Sequence, residues 1–89
     1  MSEMINVLVD VGHERDAQDE KWGDQSGHSD LEWLAILAEE FGEVAHDANE
    51  LHFRPDSDEL DDALACMRRE LIQVAAVAVA WVEALDGRR

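Results

Sequence analysis

The sequence predicts an all-α fold: a three-helix chain that builds a four-helix-bundle-type core by oligomerisation. Three observations carry this. Apolar residues recur at 3-4 spacing along two long stretches. Chain breakers are confined to Pro55 and to glycines at 12, 23, 27, 42 and 87. Residues 74–81 (VAAVAVAW) are apolar on every side. A helix of that kind must be covered all round, and two other short helices cannot do it alone. The 89 residues make one helical domain, 1–89, near the small end for a self-sufficient core, so a homodimer or homotetramer is expected.

The first helix is expected over residues 2–21, with Ile5, Leu8 and Gly12 forming a narrow stripe and a polar tail from His13. Residues 22–28 (WGDQSGH) read as a loop. Ser29 then reads as an N-cap, and Glu32 three residues on completes a capping box. The second helix presents Leu34, Leu37, Phe41, Val44, Ala48 and Leu51 as its core face. It should end near His52, because Pro55 disfavours helical geometry at Arg54. Asp56 with Glu59, or Ser57 alone, can cap the third helix. That helix runs through Leu60, Leu64, Met67, Leu71 and Val74 to about Asp86, with Gly87 at the C′ position. Trp33 and Trp81, in apolar surroundings, are expected in the core or an interface. The lone Cys66 excludes an intrachain disulfide and a Cys-built zinc site, and is expected to be a small packing residue.

Twenty-two acidic against seven basic side chains give a net charge of −15. Direct binding to nucleic acid or to an anionic membrane needs a basic footprint, so the charge argues against both. The most apolar run, residues 71–82, spans about 18 Å as a helix against a hydrocarbon core of about 30 Å, so no membrane crossing is expected. The N-terminal residues lack the basic start and long apolar run of a signal peptide, and a cytoplasmic protein is the expectation. Three classes remain open on charge alone: a metal-carboxylate protein, a partner for a basic surface, and a mimic of DNA's charge.

From Trp22 to Phe53 there is neither Lys nor Arg, yet the second helix carries Glu32, Glu39, Glu40, Glu43, Asp47 and Glu50. Glu40, Glu43, Asp47 and Glu50 share one flank through steps of 3, 4 and 3. Like charges at such spacings destabilise a helix by roughly 0.2–0.5 kcal/mol per pair. Either the flank is a hydrated acidic surface or something cationic lies against it. The third helix favours the second reading. Glu70 precedes an apolar run whose only polar member is Gln73, on the same face, and a buried amide must find a partner. The simplest assembly sets Glu40 and Glu43 opposite Glu70 and Gln73. Three carboxylates and an amide oxygen form a hard, all-oxygen ligand set suited to Mg²⁺ or Mn²⁺. With no phosphate-cradling Gly loop, such a site fits a di- or triphosphate that arrives with its metal.

These residues resemble the MazG-like all-α nucleotide pyrophosphohydrolases. The likeness rests on Glu39-Glu40-Phe41-Gly42-Glu43 followed by Glu70-Leu71-Ile72-Gln73, against a family pattern of E-x-x-E and, after a variable gap, E-x-x-D. It spans roughly residues 14–85. It implies hydrolysis of a nucleoside triphosphate to monophosphate and pyrophosphate, with Glu40, Glu43 and Glu70 as metal ligands. Gln73 stands where the family usually has Asp and removes one negative charge. Glu39 either holds or deprotonates the attacking water or is a plain surface Glu. Trp22 and His28 resemble the segment in which family members bind the base. Lys21, Arg68 and Arg69 either touch phosphate or pair with surface acids. Two other readings stay open: a non-catalytic acidic module (a DNA-charge mimic or an inhibitor of a basic enzyme), and a degenerate family member that binds nucleotide without cleaving it.

Overall fold

The computed structural model describes residues 2–54 and 60–88. Three helices follow in order: α1, Glu3–Trp22; α2, Asp30–Phe53; and α3, Leu60–Asp86. The all-α expectation holds, and among the described residues there is no strand. No helix there is long and apolar enough to cross a membrane.

Local chemistry sets the helix limits. Ser2 caps α1, its Oγ accepting from the Ile5 N–H at 3.2 Å. At the other end Gly23 donates to the Asp19 carbonyl at 2.8 Å, with φ of 74°, a conformation glycine adopts without a Cβ penalty. The Ser29–Glu32 capping box forms in both directions: Glu32 N–H to Ser29 Oγ at 3.1 Å, and Ser29 N–H to Glu32 Oε1 at 3.0 Å. α2 ends one residue past His52, and Arg54 has left the helix at φ −133°, ψ 54°, as expected for the residue before Pro55. α3 ends at Asp86, where the Gly87 N–H donates to the Glu83 carbonyl at 3.0 Å. The expected caps at Asp56, Ser57 and Glu59 lie outside the described residues.

α3 is the central element. α2 packs along it antiparallel and α1 also packs against it, and among the described residues α1 and α2 meet only through α3. The core is small. Trp33 of α2, only 2 % exposed, sits against Val77, Ala80 and Ala84 of α3, with Ile36, Leu37 and Trp81 around it. Val11 and Ala76 complete the buried apolar set. The Trp81 indole N–H donates to Asp30 Oδ1 at 3.0 Å, and Arg88 grips the same carboxylate at 2.8 and 3.1 Å. α1 is tied to α3 by Arg15–Glu83 at 3.0 Å and by Asp10–Arg68 at 2.6 Å.

Three expectations need correcting for the single chain. The α2 face turned to α3 is Trp33, Ile36, Leu37, Glu40, Val44, Asp47 and Leu51, while Leu34 (50 % exposed) and Phe41 (64 %) point away. Val77 and the small Ala80 and Ala84 of α3 receive the Trp33 indole, and that contact sets which face of α2 is turned inward. On α1 the buried position is Val11, and Ile5 and Leu8 face outward. Cys66 is exposed on the surface of the chain, not packed inside it.

Candidate functional site

The rotation that buries Trp33 also aims carboxylates inward. Glu40 and Asp47, two turns apart on α2, are half-buried against α3, and Glu70 is half-buried on the facing surface. Glu43, between them in sequence, remains exposed at the margin. Glu40 Oε2, Asp47 Oδ2 and Glu70 Oε2 are each shielded from water with no hydrogen-bond donor among the described residues. Carboxylate oxygens left this way are expensive unless a proton or a cation sits between them.

The electrostatics express the same crowding. The Glu70 carboxyl is pushed up from the usual 4.5 to about 7, first by a hydrogen bond with Asp47, then by burial, then by the charges of Asp47, Glu43 and Glu40. Such a bond between two carboxyl groups needs a proton, so it competes with any cation for the same oxygens. Glu40 is also raised, chiefly by burial and then by Glu43, Glu39 and Glu14. Glu14 on α1 therefore contributes to the same negative field.

A cavity of about 320 Å³ opens beside this cluster, lined by all three helices. Glu14, Ala17, Gln18, Lys21 and Trp22 line it from α1, Glu40 from α2 and Gln73 from α3. Four residues singled out in the sequence thus meet at one cavity: Lys21, Trp22, Glu40 and Gln73. Trp22 is 61 % exposed, and the Lys21 ammonium lies 4.8 Å from its ring centroid, the geometry of a cation–π contact. The exposed indole leaves apolar surface available to a planar group, and among the described residues the ammonium beside it is the one cation lining this cavity.

The other candidates fall elsewhere. Glu39 is exposed on α2 and does not line the cavity. His28 is turned away from Trp22: its ring packs edge-on to Trp33 at 5.1 Å, and its Nδ1 lies 3.6 Å from Glu32. Arg69 is exposed on α3 and Arg68 pairs with Asp10, so neither reaches the cavity. Sequence reasoning placed Asp47 on the acidic flank without giving it a role in the site, and it did not use Glu14 or Gln18. For the two α1 residues the usable signal was their spacing with Lys21 and Trp22, which puts all four on one helix face.

The carboxylates offer all-oxygen donors, the donor chemistry that hard divalent cations take, and three of their oxygens have no partner among the described residues. They do not yet converge, since among the described residues no three carboxylate, imidazole or thiolate groups meet closely enough to hold an ion. Glutamate side chains carry the rotamer freedom that convergence needs. A larger cleft, about 620 Å³, lies between the 23–26 loop, Trp33 and the end of α3. Its arginines, Arg15 and Arg88, are already held by Glu83 and Asp30, and the carboxylate cluster is absent from it. No family model matches this chain, and no curated protein or solved structure matches it either.

Proposed function

We propose that the chain is a metal-dependent nucleoside triphosphate pyrophosphohydrolase of the MazG-like kind, acting as a homodimer or homotetramer. The observation that carries this reading is the meeting of Lys21, Trp22, Glu40 and Gln73 around one cavity, beside buried carboxylate oxygens that no donor among the described residues satisfies. A triphosphate is repelled by a chain of net charge −15, and a metal ion would offset that repulsion. Mg²⁺ or Mn²⁺ carried by Glu40, Glu43 and Glu70 would neutralise phosphate charge and acidify a bound water.

The chain's own groups have distinct tasks in this reaction. Trp22 stacks on the base, and Lys21 offers an ammonium to the phosphate oxygens. Glu39 or Glu40 orients the attacking water and accepts its proton. Water adds at the α–β phosphoanhydride: one P–O bond forms at phosphorus, the bridging P–O bond breaks, and pyrophosphate leaves with the bridging oxygen. His28 and Arg69 would join the substrate site only after movement or from a second subunit, given where they lie in the single chain.

Pyrophosphate release from a panel of standard and modified nucleoside triphosphates, with Mg²⁺, with Mn²⁺ and with chelator, tests the reading. Metal-dependent release is expected, and Glu43→Gln should abolish it while circular dichroism shows the helices intact. A chain that binds nucleotide without releasing pyrophosphate would be the degenerate member that neutral Gln73 suggests. If it neither binds nor cleaves, the acidic interaction module becomes the reading, which the lack of a converged three-ligand group among the described residues favours.

A further inference from the structure

Charge and apolar surface are sorted onto opposite sides of the α2–α3 hairpin. Both clefts that α1 lines draw on one flank of α3, through Gln73 in one and Ala80 in the other. About half a turn round α3 from these, Leu71, Val82 and Leu85 are exposed, with half-buried Ala78 in line between them. α2 repeats the division. Leu31, Leu34, Ala38, Phe41, Ala45 and Ala48 recur in 3-4 steps and are all exposed. The acidic side chains of α2 beyond Asp30 fall instead within an arc of about 100° on its other flank, from which Glu40 reaches the cavity. The two apolar stripes therefore lie together, on the face of the hairpin turned away from α1. Each runs for more than about 20 Å and carries no charged residue.

Charge and area together say what covers this face. Two chains of net charge −15 repel wherever their acids meet, and here they can approach without acids between them. A basic partner would be drawn to the acidic flank instead. The chain has surface to spare: 6598 Å² against roughly 5,200 Å² for a folded monomer of 10.0 kDa, a difference larger than the roughly 800 Å² each partner gives to a standard interface. Met4, Ile5 and Leu8 of α1 are exposed too, but they span little more than one turn and Asp10 follows them.

We propose that the face formed by the Leu31–Ala48 and Leu71–Leu85 stripes is the docking surface for the same face of a second copy. Two hairpins then make four helices around one apolar centre, related by a two-fold axis, with α1 and the cavity of each copy on the outside. This rests on the homo-oligomer in the function proposed above, and it names the surface that builds it.

Light scattering and thiol labelling of the full chain test the assignment. Ala38 lies mid-stripe and is exposed in the single chain, so a charge there burdens the interface and not the fold. Ala38→Glu should halve the mass in solution, with helicity retained by circular dichroism. In a Cys66→Ser background, Ala38→Cys should react with maleimide at least about tenfold more slowly than Asp16→Cys on exposed α1, because access governs thiol reactivity. The labelling comparison decides alone if the Glu variant loses helix. An unchanged mass in folded Ala38→Glu, or Ala38→Cys labelled as fast as Asp16→Cys, overturns this face and leaves the oligomer standing. A monomeric native chain removes the oligomer and this proposal with it.

Discussion

A carboxyl held near 7 among ionised neighbours ties the stability of the metal-free chain to pH through Glu70. The folded state keeps the Glu70 proton to a higher pH than the unfolded chain, whose value is the usual 4.5. The stabilisation is therefore complete below about 4.5 and is lost as pH rises through about 7. Glu40, raised chiefly by burial, acts in the same direction. Urea unfolding in chelator should show a less stable protein at pH 8 than at pH 5, and Glu70→Gln should flatten that difference. A native chain equally stable at both would mean that Glu70 is not crowded in solution. At this scale the sequence exposed Glu40, Glu43 and Glu70, because like charges in 3-4 steps without Lys or Arg demand an explanation. It could not expose the place of Asp47. A helical wheel gives relative angles along one helix, and the absolute rotation comes from Trp33 packing on Val77, Ala80 and Ala84 of a different helix. His28 was misplaced for a related reason. The capping box fixes Ser29, and the His28 N–H donates to the Gln25 carbonyl at 3.2 Å, a turn that directs the ring to Trp33.

Helix limits follow from contacts within a few residues, which is why the second helix was legible almost to the residue. The Ser29–Glu32 box satisfies two backbone N–H groups at the start of the helix that carries Trp33 and the acidic flank. Ser29→Ala should cost about 1 kcal/mol, read from urea unfolding. A variant as stable as the native chain would show that this end of α2 frays. Which face of a helix is buried is a longer-range matter. On α1 the stripe Ile5–Leu8–Gly12 is apolar enough to read as a core face, but the helix docks through Val11 and the Arg15–Glu83 and Asp10–Arg68 pairs. The outward face of α1, with Met4, Ile5 and Leu8, is left uncovered within one chain, as are Leu31, Leu34 and Phe41 of α2.

The chain exposes 6598 Å², about a quarter more than the roughly 5,200 Å² expected of a folded monomer of 10.0 kDa. A standard protein–protein interface takes about 800 Å² from each partner, so the surplus is enough for one. Val79, Val82 and Leu85 of α3 remain exposed on the helix that the sequence places at a shared centre. Light scattering should report a dimer or tetramer, and Val82→Glu should shift it toward monomer. A native chain that runs as a monomer contradicts the shared bundle. The buried apolar set also gives the hairpin a lopsided anatomy. On α3 it is confined to positions 76, 77, 80 and 84, of which 77, 80 and 84 pack with Trp33 of α2, and the far half of both helices holds the carboxylates in its place. Amide protons near Trp33 should then exchange only on global unfolding, while those past Glu40 on α2 and before Glu70 on α3 escape through local opening. A divalent ion bridging the two helices would act as a staple for the half that lacks a core, so loading the site and closing the hairpin would be one event.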